Sequence, residues 1–84
     1  MDNSTTELFV TVGSEGYIFT SPDGTTWTER TSGISKYLGG ITYGNGLYLT
    51  VGNSGTILTS SDGTTWTERT SGTSDYLIGV TYGI

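Results

Sequence analysis

The letters DGTTWTERTSG fill residues 23–33 and recur unchanged at residues 62–72. Outward from this pair, a shift of 39 positions aligns residues 8–45 with residues 47–84. Of the 38 aligned residue pairs, 26 are identical. Self-similarity at a fixed period is the signature of a repeat architecture, so the sequence predicts two copies of one structural unit.

The repeat divides the chain into a polar segment at 1–7, a first unit at 8–45 and a second unit at 46–84. Between turns that contain glycine, asparagine and aspartate, short stretches are rich in threonine, tyrosine, isoleucine, valine and tryptophan, which favour strands over helices. Four short antiparallel strands in each repeat of about 40 residues are typical of a propeller blade. We therefore expect an all-β fold of the β-propeller class.

The four strands of a blade are named A to D from the ring axis outward. In the complete copy, residues 37–69, the sequence predicts strand A at 37–43, strand B at 47–51, strand C at 56–60 and strand D at 64–69. The pairs Asp23–Gly24 and Asp62–Gly63 lie between strands C and D. Asp-Gly between two strands predicts a type I′ turn, in which both central residues have positive φ.

The order of the strands indicates a partner. Residues 8–12 correspond to strand B with no strand A in register before them, whereas residues 76–82 repeat strand A and no strand follows. The chain reads B-C-D, A-B-C-D, A. We expect the strand A of one molecule to complete the first blade of the next, head to tail. The side chains expected at this joint are Leu8, Val10, Val12, Tyr76, Ile78, Val80 and Tyr82.

The composition agrees with assembly. Only 32% of the 84 residues are hydrophobic and there is no cysteine, so a core or a disulfide within one chain offers little stability. Because each chain contributes two blades, equivalent chains give an even blade number. We expect a homotetramer with eight blades, and a trimer with six or a pentamer with ten are the alternatives.

Charge and segment composition exclude other partners. The net charge of −5 argues against nucleic acid and anionic membrane surfaces, which both require a basic patch. The sequence has no apolar run of membrane-spanning length, and residues 1–7 have neither the basic start nor the apolar core of a signal peptide. We expect a soluble protein, and its cellular location stays open.

Catalysis is not expected. The chain has no histidine and no cysteine, so the commonest general base and the most reactive nucleophile are missing. Asp23 and Asp62 fit turn positions better than acid or metal-ligand roles. Arg30 and Arg69 occupy the same repeat position on the outermost strand. The sequence therefore predicts no catalytic residue, no metal site and no cofactor.

The motifs SPDGTTW at 21–27 and SSDGTTW at 60–66 resemble the Asp-box, or BNR, repeat of sialidase-like propellers and of photosystem II stability factor-like repeats. The resemblance extends over residues 8–84 and implies a hairpin between the outer strands with an aromatic ring packed beneath it. Both motifs have one residue fewer between aspartate and tryptophan than the usual pattern. Similar blades occur in phage tail proteins and in designed propellers. Sialidases also use an arginine triad, which this chain lacks.

Repeated aromatic residues give the alternative function. Trp27, Trp66, Tyr37 and Tyr76 recur at equivalent positions and would be displayed around a ring, as in lectins that stack sugar rings on aromatic side chains. We expect the tryptophans to fill space between blades instead, and the tyrosines to be the better ligand-binding candidates. The main prediction is a non-catalytic, self-assembling propeller, and a glycan-binding propeller is the alternative.

Overall fold

The computed structural model describes residues 8–83. It contains seven strands over that range. They are β1 (Phe9–Val12), β2 (Ile18–Ser21), β3 (Thr28–Arg30), β4 (Leu38–Gly44), β5 (Leu47–Gly52), β6 (Ile57–Ser60) and β7 (Thr67–Arg69). Single 3-10 turns at Ser14–Gly16 and Asn53–Gly55 join β1 to β2 and β5 to β6. The all-β prediction is confirmed over this range.

The seven strands form two antiparallel meanders. One sheet has the order β1-β2-β3 and the other the order β4-β5-β6-β7. The two sheets share one pairing register: Val12 lies opposite Ile18 in the first, and Val51 lies opposite Ile57 in the second. Each repeat unit therefore contributes three equivalent strands to one sheet, and the second sheet has β4, from the end of the first unit, as its fourth strand. The described residues form no closed sheet.

The tightest hairpin is not at the predicted position. Asn45 and Gly46 connect β4 to β5, and both have positive φ, 53° and 79°, as a type I′ turn requires. At the Asp-Gly pairs only the glycines have positive φ, 82° at Gly24 and 80° at Gly63. The type I′ prediction for these pairs is wrong, because the aspartates there cap a longer loop with their side chains.

The loop also shortens the last strand. Strand D was expected to begin at residue 64, but β7 begins at Thr67 because the backbone N–H groups of Thr64 and Thr65 donate to the Asp62 carboxylate instead of to a neighbouring strand. The strands predicted at 37–43, 47–51 and 56–60 agree with β4, β5 and β6 to within one residue at either end.

The core lies between the two sheets. Its buried residues are Ile18, Leu38, Tyr48, Leu58 and Trp66. Leu8, Val10, Val12, Ile34 and Ile41 pack against them. Because strand side chains alternate between faces, one face of the first sheet meets the opposite face of the second. The two repeats thus pack front to back.

Candidate functional site

Residues 76–83 follow the second sheet and run beside β4. The Leu77 N–H donates to the Gly52 carbonyl at 3.0 Å. This bond repeats the one from the Leu38 N–H to the Gly13 carbonyl, also 3.0 Å, which precedes β4. The start of the segment is therefore held by the second sheet as the residues before β4 are held by the first sheet.

The same segment fits closely against the glycines of β4. A β-carbon on Gly40 would lie 3.2 Å from the Ile78 carbonyl oxygen. The Tyr82 ring lies directly against Gly44 and leaves no space there for a side chain. Within the described range, residues 76–83 form no strand ladder. The segment predicted as a strand at 76–82 thus lies beside β4 but pairs with no strand of residues 8–83.

The first sheet has a matching open edge. β1 pairs with β2 on one side, and no strand of residues 8–83 pairs with its other side. The Leu8 N–H donates to the Tyr48 hydroxyl at 3.2 Å, so it is bonded to a side chain of the second repeat. Leu8, Val10 and Val12 lie on the face that packs into the core.

The Asp loops are hydrogen-bonded alike in both repeats. The Asp23 carboxylate accepts from the Thr25 and Thr26 backbone N–H groups at 2.8 and 3.0 Å. The Ser21 hydroxyl donates to the same carboxylate and accepts from the Gly24 N–H at 2.7 Å. Asp62 has the same arrangement with Thr64, Thr65 and Ser60.

These bonds change the acidity of both aspartates. The Thr26 N–H, followed by the Thr25 N–H and the Ser21 hydroxyl, lowers the pKa of Asp23. The corresponding donors, led by the Thr65 N–H, lower the pKa of Asp62. Both side chains stabilise their loops as carboxylates. Among residues 8–83, no group of three or more acidic or other ligand side chains is placed to hold a metal ion.

The two tryptophans are placed differently. Trp66 is 9% exposed, lies 6.3 Å from the Tyr48 ring and donates from its indole N–H to the Gly63 carbonyl at 3.0 Å. Trp27 is 43% exposed. Trp66 packs in the core between the two sheets. Within residues 8–83, no second sheet covers the side of the first sheet on which Trp27 lies. The expectation that the tryptophans fill space between blades therefore stays a prediction.

Tyr37, which precedes β4, meets Tyr76, which begins the segment beside β4. Their ring centroids are 5.8 Å apart and both rings are exposed. Partial desolvation and the neighbouring Tyr37 hydroxyl raise the pKa of Tyr76. The structure thus brings together two of the four predicted ligand-binding residues and separates them from the tryptophans.

Sequence reasoning missed two clefts beside the loops that follow β3 and β7. The first, of about 640 Å³, includes Arg30, Lys36 and three glutamates: Glu15, Glu29 and Glu68. The second, of about 570 Å³, has Arg69 and Glu68 at equivalent places. Arg30 and Arg69 each donate from Nε to a threonine of the adjacent strand, at 3.0 Å. The repeated Glu-Arg-Thr-Ser-Gly letters are the signal that could have indicated these clefts.

No helix within residues 8–83 has the length and apolar character needed to cross a bilayer. Comparisons of the chain with protein-family models, with curated proteins and with solved structures give no match. The resemblance to Asp-box repeats therefore stays a prediction from the two motifs.

Proposed function

We propose that the protein is a non-catalytic propeller scaffold that assembles from identical chains by strand exchange. Residues 76–82 of one copy pair with β1 of the next, and a ring of such contacts gives every blade four strands. The observation that carries this proposal is the match between the segment held beside β4 without a ladder and the open edge of β1.

The second sheet supplies the register of the exchanged pair. Within it, Ile41 lies opposite Thr50 and Tyr43 opposite Tyr48. Val80 is the repeat equivalent of Ile41, and Thr11 is the repeat equivalent of Thr50. In the proposed exchange, the same register therefore pairs Val80 of one copy with Thr11 of the next. Counted from the two-residue turn at Asn45, Ile41 and Thr50 form a non-hydrogen-bonded pair, in which the Cα atoms are about 4.5 Å apart.

Backbone hydrogen bonding favours the exchange. An exposed strand edge presents a row of N–H and C=O groups that another strand can satisfy, and such strand addition is a common mode of protein association. The glycines of β4 and the bond from Leu77 to Gly52 hold the segment in place, so part of the ordering cost is already met before a second copy binds.

A cysteine pair tests the exchange, since the chain has no cysteine of its own. In the variant Thr11→Cys with Val80→Cys, the register places the two thiols within the range for a disulfide between chains. After mild oxidation we expect covalent oligomers on non-reducing gels, up to the number of chains in the ring. Native mass spectrometry of the unmodified protein gives the same number.

The matched control is Thr11→Cys with Thr81→Cys. Because side chains alternate along a strand, residue 81 points to the face opposite residue 80 and away from Thr11. We expect it to yield little cross-linked product. Equal cross-linking in both variants, or a disulfide only within single chains in the Val80→Cys variant, contradicts the proposed register.

A second candidate function is glycan binding at Tyr37 and Tyr76. The observation that favours it is that these two rings stay exposed and adjacent, whereas Trp66 is buried. Paired tyrosine rings offer apolar faces together with hydroxyl groups, which suits sugars. Reproducible binding of one sugar class on a glycan array, lost in Tyr37→Ala, supports this candidate. Absence of binding contradicts it and leaves the scaffold as the proposed function.

A further inference from the structure

The outward side of the first sheet has aromatic side chains where the second sheet has buried ones. We call Phe9, Tyr17, Phe19 and Trp27 the aromatic face. Their repeat equivalents are Tyr48, Thr56, Leu58 and Trp66, which are all buried. Phe9 is 58% exposed whereas Tyr48 is 7% exposed. Phe19 is half-buried, and the other three positions are covered in one repeat and exposed in the other.

The cover in the second repeat comes from the first sheet. Tyr48, Leu58 and Trp66 belong to the core cluster that includes residues of β1 and β2. The covering residues on the first sheet are Leu8, Val10, Val12 and Ile18. Their repeat equivalents are Leu47, Leu49, Val51 and Ile57, which we call the aliphatic face.

The aliphatic face is only partly covered within the chain. Leu47 is 41% exposed, Leu49 and Ile57 are half-buried, and Val51 is buried. Val80 and Tyr82 line a small cavity of about 180 Å³ beside Leu47 and Leu49. The second sheet therefore presents an apolar surface with the pattern that the first sheet already uses inside the molecule.

We propose that the aromatic face of one copy docks on the aliphatic face of another copy, with the geometry of the contact between the two sheets of one chain. This inference rests on the proposed assembly and adds the side-chain surface that joins its copies. A contact between two different patches is head to tail, so the same operation repeats until the ring closes.

The contacts inside the chain indicate what the new junction contains. Leu8 packs against Gly63, and a β-carbon added to Gly63 would lie 2.8 Å from Cδ1 of Leu8. At the junction between copies, Leu47 takes the place of Leu8 and Gly24 takes the place of Gly63. Gly24 is open to this approach, because its nearest side chain is Phe9, 3.5 Å from an added β-carbon.

Two blocked variants test the junction. Trp27→Asp places a charge in the aromatic face, and Leu47→Asp places one in the aliphatic face. Both positions are exposed in the single chain and lie outside the exchanging strands. By size-exclusion chromatography with light scattering, we expect each variant alone to run as an 8.9 kDa monomer. An equimolar mixture should form a dimer, because it contains one intact junction and two blocked ends.

Tyr17→Asp and Ile57→Asp serve as second variants of the two faces, and circular dichroism identifies any variant that fails to fold. Asn53→Asp is the control, since it adds one negative charge at an exposed position that belongs to neither face. This control should keep the oligomer mass of the unmodified protein. The inference is overturned if folded face variants keep that mass, or if their mixture stays monomeric.

Combining these variants with the cysteine pair separates the two proposals. If the faces do not dock but strands exchange, Thr11→Cys with Val80→Cys cross-links equally well with and without Trp27→Asp. If the faces dock without strand exchange, the face variants lose the oligomer and the cysteine pair gives no cross-link in any background.

Discussion

Glycine at the two Asp-Gly positions has a conformational role and, at one of them, a packing role. Gly24 and Gly63 both have φ near +80°, a region that β-branched residues avoid. Only Gly63 also has a neighbouring side chain in the way, because Leu8 of the other repeat packs against it. The two glycines therefore have the same backbone geometry, but within one chain only Gly63 lacks space for a side chain.

We expect Gly24→Val and Gly63→Val each to lower the free energy of unfolding by about 1 to 3 kcal/mol, because valine is strained at positive φ. In the Leu47→Asp background, which we expect to be monomeric, the smaller substitution Gly63→Ala should cost more than Gly24→Ala, since its methyl group meets Leu8 and no Leu47 of a second copy reaches Gly24. Urea denaturation followed by tryptophan fluorescence measures both pairs. Equal losses for the two alanine variants would contradict the packing role.

The Asp loops predict a dependence of stability on pH. Backbone N–H donors lower the pKa of Asp23 and Asp62 in the folded chain, so the carboxylates stabilise it fully above their unfolded pKa of about 3.9. That contribution is lost as the pH falls through the lower, folded pKa. The double variant Asp23→Asn with Asp62→Asn should melt at a lower temperature at pH 7 and lose less stability between about pH 5 and pH 2.

Glu29→Gln is the control for this pH series. It also removes a carboxylate, but one that lies on a strand outside both loops. Its melting temperature should depend on pH as in the unmodified protein. A double asparagine variant with an unchanged pH dependence would show that other carboxylates determine the acid sensitivity.

At the scale of elements, most strands could be predicted because threonine-rich and valine-rich stretches alternate with turn residues. The type of each turn could not be predicted from dipeptides alone. Asn45–Gly46 has the type I′ geometry, whereas Asp62–Gly63 does not, because Ser60 precedes the aspartate and the two side chains together organise a six-residue loop. The turn type therefore depends on hydrogen bonds between a side chain and groups two or three residues along the chain, which a dipeptide does not contain.

The candidate site was only partly predictable, because burial depends on which neighbour covers a residue. Trp27 and Trp66 have identical flanking letters and still differ in exposure, since only Trp66 lies beneath another sheet of the chain. The strand order predicts that residues 76–82 pair with another copy, and this stays a prediction; within residues 8–83 the segment forms no ladder. The pairing of the Tyr37 and Tyr76 rings, and the clefts beside Arg30 and Arg69, depend on how the two sheets lie together.

At the scale of the whole molecule, the proposed assembly unites two open features. The edge of β1 requires a strand, and the aromatic face requires an apolar cover. One neighbouring copy supplies the strand from residues 76–82 and the cover from its second sheet. Because each chain contains two repeats, the rotation from one copy to the next is twice the rotation from one repeat to the next. This one rotation gives β1 its strand and the aromatic face its cover. The apolar surface that one chain leaves in water is then buried without any new kind of contact.

Deleting residues 75–84 tests the assembly. The truncation removes the bond from Leu77 to Gly52, the Tyr82 ring that lies against Gly44 and the strand proposed for the next copy. The remaining sheets are small for an independent fold, because a chain of this length buries only about 60% of its unfolded surface. We expect the truncated protein to be unfolded or aggregated by circular dichroism and light scattering.

Adding the missing strand in trans distinguishes strand exchange from a general loss of stability. A synthetic peptide of residues 75–84, in excess, should restore an ordered species by pairing with β1. The same peptide with Thr81→Pro should not, because in the proposed register Thr81 forms a hydrogen-bonded pair with Val10 and proline removes the backbone N–H of that pair. If the truncated chain stays a folded, soluble monomer without peptide, residues 76–82 complete no blade and the ring proposal is wrong.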